Sequence, residues 1–286
     1  MKFGHVVVND LDETPLISVI IPCYNSGDTI QRSIDSVVNQ TWKNIELIIV
    51  NDGSDELKTV SVLRNILSGK VFNQLNKGLP SARNFGVSMA QGEYIFFLDA
   101  DDTIDKDTLT ELLAVIKKRN FKCFSFPHMQ LMGDRDGKIS NKYNAFEQLF
   151  FNKIPYSIMI SKSFFIEMKG YSEKFTDGYE DWEFNIRLGS NGFLGIDTPK
   201  ATLYYNVSNS GMLKSKSLNL HGFIWKAIQS QNKSSYNLKS LLRTYNKSKK
   251  HHSNYALEYY FLYYMIWKLT PIVVFNMIFK LIKKIN

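Results

Sequence analysis

Short apolar runs alternate with amphipathic stretches along the first half of this chain. Ile17 to Ile21, Ile45 to Val50 and Tyr94 to Leu98 are continuous and rich in β-branched or aromatic residues, as in strands covered on both faces. Pro22 closes the first run, and a shorter strand is expected near Lys70 to Asn73. Between these runs, Ile30, Ile34, Val37 and Val38 recur at helical spacing behind a cap at Ser26 or Asp28. Ala82, Asn84, Val87 and Met89 mark a second helix that stops at Gly92, and Leu109, Leu112, Leu113 and Ile116 a third. Phe121 to Phe126 reads as another strand. Strands and helices alternating about every 25 residues predict an α/β fold with a mostly parallel sheet and right-handed crossovers.

Beyond Met129 the periodicity thins. Gly133 to Gly137 reads as an exposed hairpin or loop, Ile158 to Ile160 as a strand and Ser163 to Met168 as a short helix. Gly178-Tyr179-Glu180-Asp181 opens a helix that closes near Gly192, and residues 193–210 are expected to hold short strands. The chain divides into a leader over 1–15, an α/β domain over 16–210 and a basic, aromatic helical region over 211–286. Within the domain, 16–125 forms one half and 126–210 the other.

Composition narrows the function. The 286 residues are 44% hydrophobic and 22% charged, enough to bury a sizeable core. The net charge of +8 is uneven: residues 211–286 carry 13 Lys/Arg against the single acid Glu258. No zinc-finger spacing, RNP-type motif or basic recognition helix accompanies that charge, so nucleic acid is not the expected partner. A basic face instead suits solvent or an anionic membrane surface. The tail over 255–286 is aromatic and aliphatic, but Glu258, Lys268 and Asn276 interrupt it and Pro271 divides it. That leaves either an interfacial helix or a core or dimer-packing helix pair. Two distant cysteines, Cys23 and Cys123, and no signal-peptide core point to a cytoplasmic chain, free or peripheral on the inner membrane face.

The candidate chemistry lies where the apolar run at Tyr94–Leu98 stops against Asp99-Ala100-Asp101-Asp102. In open α/β sheets ligands bind outside the carboxyl ends of the strands. Three clustered acids repel one another unless a cation joins them, and oxygen ligands alone suit Mg²⁺ or Mn²⁺ shared with substrate phosphates. Taken alone, the same four residues are equally a solvated turn capping the next helix. Convergence argues for a site: the runs ending at Pro22, Asn51 and Leu98 deliver polar or aromatic groups to one sheet edge.

Four motifs in this order carry a resemblance. Ser18-Val19-Ile20-Ile21-Pro22-Cys23-Tyr24-Asn25 is followed by Val50-Asn51-Asp52-Gly53-Ser54, by Asn76-Lys77-Gly78 with Ala82-Arg83-Asn84, and by Phe97-Leu98-Asp99-Ala100-Asp101-Asp102. The pattern resembles the family 2 glycosyltransferases of the GT-A fold, closely over residues 16–125 and more weakly to 210 through Glu180-Asp181. The resemblance implies a Rossmann-like sheet flanked by helices, here with a helical C-terminal extension. It implies an inverting hexosyltransferase that moves a sugar from a nucleotide donor, UDP-linked by preference. The acceptor would be a saccharide or lipid-linked glycan in cell-surface synthesis, and the oligomeric state stays open.

Residue by residue, the resemblance implies that Pro22 and Tyr24 line the nucleobase pocket and that Asp52 accepts a hydrogen bond from the base. Asn76 and Arg83 would reach the nucleoside or diphosphate. Asp99 would lie toward the ribose, with Ala100 in the same donor-binding stretch. Asp101, with Asp99 beside it, would hold Mn²⁺ or Mg²⁺, and Asp102 would orient the loop. Asp181 takes the place of the general base, Glu180 would bind donor or acceptor hydroxyls, and Trp182 would wall a sugar ring. The family's histidine after a Tyr-Tyr segment is absent from Tyr204-Tyr205-Asn206-Val207-Ser208, which implies weaker metal binding or ligands completed by substrate and water. Two other functions compete: a membrane-associated nucleotide-sugar scaffold without turnover, and a nucleotidyltransferase. The second would want a Gly-rich basic loop, and Pro22 to Gly27 has no Lys or Arg.

Overall fold

The computed structural model describes residues 14–140, 142–208, 217, 220–249 and 258–277. The expected leader, apart from Thr14 and Pro15, lies outside the described residues, as does the end of the tail. Strand β1 (Ile17–Cys23) is buried at all seven positions because β2 (Ile45–Asp52) and β4 (Tyr94–Phe97) run parallel on either side of it. β3 (Lys70–Gln74) adds a further parallel strand outside β2. Helix α1 (Ile30–Val38) buries Ile30, Ile34 and Val37 as their spacing predicts, whereas Val38 is 51% exposed. Helix α2 (Leu57–Arg64) had no legible signature, since it buries only Thr59 and Leu63. Helix α3 (Leu79–Met89) packs on β1 and β2.

Pro22 does not end β1; it pairs with Val50 inside it. Backbone geometry explains why proline is tolerated there. Ile20 O accepts from Leu98 N at 3.1 Å, so Ile20 faces the β4 side, and Pro22, two residues on, faces the same side. β4 ends at Phe97 opposite Ile20, so the missing Pro22 N–H leaves no ladder partner unsatisfied.

The sheet continues from β4 through antiparallel β8 (Met159–Ser161) to β6 (Cys123–Gly133), then β9 (Leu194–Val207) and the two-residue β5 (Thr103–Ile104). β7 (Gly137–Ile139) folds back on β6, forming the hairpin expected at Gly133–Gly137. Helix α4 (Thr108–Lys117) buries its four predicted residues against β6 and β9. In place of short strands, β9 is one strand of 14 residues parallel to β6. Its register slips between Pro127 and His128, whose partners are Thr198 and Thr202. Pro199, which has no donor for a ladder, falls in that slip.

After the turn Glu147–Leu149 and α5 (Lys162–Glu167), helix α6 (Glu180–Ser190) leads into β9. Helices α7 (His221–Gln231), α8 (Leu238–Lys249) and α9 (Glu258–Leu269) follow, with a further helical stretch over 272–277. They build a second core of mostly aromatic residues with α6 and the 146–151 segment. Trp182 lies over Trp225 at 6.4 Å between ring centroids, and Trp225 meets Trp267 at 4.9 Å.

Helix α3 approaches β1 closely at Gly86, where an added Cβ would come 2.5 Å from Ile20 Cγ2 and 3.3 Å from Val50 Cγ2. Gly86→Val therefore overpacks a core with little room to give. Urea denaturation is expected to show a loss of about 1–3 kcal/mol despite the small gain in helix propensity. An unchanged midpoint would mean that α3 can lift from β1.

Candidate functional site

The carboxyl ends of β1, β2 and β4 form the floor of a cavity of about 710 Å³. Its shape depends on Asp52, at the end of β2 and 4% exposed. Asp52 Oδ1 accepts from Lys77 N at 2.9 Å and Gln74 Nε2 at 2.7 Å, and Oδ2 accepts from Gly78 N at 2.9 Å. The carboxylate thereby holds the loop before α3. Gly78 has φ +88° and ψ 163°, a region essentially reserved for glycine, which turns the chain so that the N-terminus of α3 opens on the cavity. Gly53 is equally constrained, at φ +70° with Asn76 N only 2.6 Å from where a Cβ would stand. The β1 loop is latched by Asn25, whose Oδ1 accepts from Asp55 N and Glu56 N at 3.1 Å each. This leaves Tyr24 47% exposed over the opening.

Residues 99–102 form a tight turn closed by Asp102 N donating to Asp99 O at 3.2 Å. The buried Tyr156 hydroxyl accepts from Asp99 N at 2.9 Å and donates to Asp102 Oδ2 at 2.6 Å. Asp102 Oδ1 accepts from Asn206 N at 2.7 Å, so Asp102 ties the acid turn to the end of β9. Burial and the charges of Asp101 and Asp99 push Asp102 well above the usual carboxylate range. Asp101 projects at the cavity, where partial desolvation and Asp99 raise it to about 6.

Arg83 lies behind the cavity instead of lining it. At 1% exposure it donates from Nη2 to Asp99 Oδ1 at 2.6 Å and from Nη1 to Glu180 Oε1 at 2.5 Å. The rings of Tyr156 and Tyr171 lie 5.0 and 5.5 Å from its Cζ. Glu180 is 4% exposed, and burial raises it to about 7 against the pull of Arg83. Asp181, half-buried at the start of α6, accepts from Asn152 Nδ2 and Trp182 N at 2.7 Å each. Burial raises its pKa too, against the pull of Arg83, with Asp99 adding a smaller upward push. Tyr179, just before this pair, takes the left-handed conformation at φ 68°, an uncommon one for a tyrosine that re-aims the chain into α6.

Among the residues singled out in the sequence, Pro22, Tyr24, Asp52, Asn76, Asp99, Ala100 and Asp101 share the cavity. Arg83, Glu180, Asp181 and Trp182 do not line it. For Trp182 the placement corrects the expectation of a sugar-facing wall. The ring is 1% exposed, its Nε1 donates to Gln148 O at 2.6 Å, and His221 stacks on it at 5.7 Å. The cavity also takes in Lys77, Thr176, Asp177 and the end of β9 from Tyr205 to Ser208. Lys77 belongs to the Asn76-Lys77-Gly78 motif, whereas Thr176 and Asp177 sit in a loop without periodicity and carry no sequence signal.

A divalent cation fits this donor set. Asp99 and Asp101 face one space, and desolvation together with the charge of Asp99 raises the pKa of Asp101, a rise that a cation there would relieve. Among the described residues no three His, Cys, Asp or Glu side chains gather as a closed metal cage. An ion held by one or two carboxylates, with the remaining positions left to phosphate oxygens and water, matches the habit of Mg²⁺. Both cysteines are free and buried, and burial raises Cys23 to about 11, so neither suits a metal.

The profile of "Glycosyl transferase family 2" matches residues 18–175, and that of "Glycosyltransferase like family 2" matches 128–265. Among curated proteins, an uncharacterised glycosyltransferase of Haemophilus influenzae is 42% identical over 104 residues, covering 35% of this chain and 41% of that protein. Glycosyltransferase GlyG of Streptococcus pneumoniae is 30% identical over 175 residues, 59% of this chain and 52% of GlyG. The chain thus spans about half or less of these two relatives. In fold it is similar to S. aureus TarS 1–349 in complex with UDP-GlcNAc, with TM-score 0.58, 22% identity and coverage of 72% of this chain and 65% of TarS.

Asp52→Asn places an amide N–H₂ where one or two protein donors now point. Urea denaturation is expected to show a loss of about 1–3 kcal/mol, the cost of buried donors left unpaired. Retention of full stability would mean that the 76–78 loop holds its shape without this carboxylate.

Proposed function

We propose, because this chain belongs to glycosyltransferase family 2, that it transfers a sugar from a UDP-linked donor to a hydroxyl of a saccharide or lipid-linked acceptor. The observation that carries the reading is the joining of two acid sets by one buried guanidinium: Asp99 at the cavity floor and Glu180 beside Asp181. The cavity supports a nucleoside diphosphate. Tyr24 offers a ring to stack on, Asp52 retains unused acceptor capacity toward a base, and the N-terminus of α3 favours anionic oxygens. Asn76 and Lys77 add polar and cationic reach. Asp101 and Asp99 would hold Mn²⁺ or Mg²⁺, which when bound neutralises charge developing on the leaving diphosphate. A second cavity of about 470 Å³ shares Asp177 with the first and lies between the 174–178 loop and α7, giving an acceptor room.

In this reading Asp181 takes the proton of the acceptor hydroxyl. The acceptor oxygen forms a bond to the anomeric carbon as the bond to the diphosphate oxygen breaks, and the proton passes to Asp181 and then to water. One displacement with no second nucleophile inverts the anomeric centre. Asn152 and the Trp182 N–H fix the carboxylate, and its raised pKa makes it a stronger base than an exposed aspartate. Arg83 positions without touching substrate: it holds Glu180 and Asp99 in one frame.

Asp181→Asn keeps the shape and removes the base. Transfer is expected to fall by about 10²–10⁴-fold while UDP still raises the melting temperature. Retained turnover would remove Asp181 from this role. The pH profile has a defined sign: the base works ionised, and its pKa is raised, so kcat should fall as pH drops, with a midpoint above the ordinary aspartate value of about 4. A profile flat down to that value would contradict it. Release of UDP from a panel of UDP-sugars, measured with and without Mn²⁺, tests turnover itself; binding without metal-dependent release would favour a scaffold.

A further inference from the structure

Helix α9 is apolar on the wrong side. Tyr260, Tyr263 and Tyr264 are buried in the second core, as one face of an amphipathic helix should be. The opposite face should then be polar. It instead carries Tyr259, Leu262, Met265, Ile266 and Leu269, between 44% and 79% exposed. Positions 259, 262, 266 and 269 are three or four apart and form one stripe. The helical stretch 272–277 adds Val273 and Met277, both about 60% exposed. Apolar side chains exposed in this number mark an interaction site in a folded protein.

Charge selects the occupant. Residues 211–286 hold 13 Lys/Arg and one acid, and the described Lys239, Arg243, Lys247 and Lys268 are exposed. Two copies meeting through this region would bring two strongly positive surfaces together, whereas an anionic lipid surface is attracted to it. Twelve residues of helix span about 18 Å, short of the roughly 30 Å hydrocarbon core. No described helix is long and apolar enough to cross a membrane. We infer that α9 and the 272–277 stretch lie flat in the headgroup boundary of an anionic bilayer, the apolar stripe inserted and the lysines at the phosphates. Tyr259 and Lys268 suit that boundary, where amphipathic rings and long cationic side chains settle. The inference stands apart from the chemistry of transfer. It bears on that chemistry only through Trp267, Trp225 and Trp182, successive ring contacts leading from α9 to the residue beside Asp181.

The test is flotation of the full chain with vesicles of phosphatidylglycerol and phosphatidylcholine in equal parts, and with phosphatidylcholine alone. The chain is expected to float with the anionic vesicles, less so at high salt, and weakly with the neutral ones. Leu262→Glu combined with Leu269→Glu, at sites 59% and 79% exposed, should lower binding by about tenfold or more. Circular dichroism and UDP-induced thermal stabilisation matching the parent chain would show that the variant folds. Flotation of the double variant like its parent, or no flotation of either, overturns the inference. So does sedimentation velocity showing a dimer that the same two substitutions dissociate.

Discussion

The Arg83 guanidinium is almost fully removed from water, and a positive charge can remain there only where carboxylates meet it. Asp99 comes from the end of the β4 segment, Glu180 from the first turn of α6, and Arg83 itself from the first turns of α3. Three elements far apart in sequence are therefore held to one point. Tyr156 and Tyr171 wall the cation on its faces. Removing one partner would leave a buried charge uncompensated, so the arrangement is costly to disturb at any corner. Burial raises both Glu180 and its neighbour Asp181 against the pull of Arg83, and the charges of Asp181 and Asp99 add to the rise of Glu180 to about 7.

From this hub the architecture extends in two directions. Toward the sheet, Tyr156 and Asp102 lock the acid turn to the end of β9, while Asp52 locks the α3 loop, so the cavity wall is held by hydrogen bonds at three corners. Toward the C-terminus, α6 buries Trp182 in a stack shared with α7 and α9. The C-terminal helices thus support the acid pair from below. In this member of glycosyltransferase family 2 the brace holds the start of α6, and with it Glu180 and Asp181, in place.

Much of the cavity was legible in the sequence because it depends on strand ends. Continuous apolar runs identify central strands, and the polar residues that stop them fall on one sheet edge once the strands are parallel, which brought Pro22, Asp52, Asp99 and Asp101 together. Pro22 itself was misread as a terminator, because whether a proline is tolerated depends on the length of the neighbouring strand. Trp182 was misread for a different reason. Helix α6 is buried at Glu180, Trp182, Glu183, Phe184, Asn185, Ile186 and Leu188, nearly all round, so no periodicity shows which face a ring takes. The same holds for Arg83: a motif supplies its identity, but only the approach of α6 reveals that its partners are protein carboxylates. The second aromatic core was hidden because its residues are divided between 146–151, α6 and the tail.

The most direct measurement is a double-mutant cycle between Arg83 and Glu180, using Arg83→Met, Glu180→Gln and both together, read by urea denaturation of the full chain. If this ion pair joins the two halves, Arg83→Met costs about 3–5 kcal/mol and the double variant costs less than the sum of the singles by about 1–3 kcal/mol. Additivity within about 0.5 kcal/mol would show that the two residues do not depend on each other and would contradict the account.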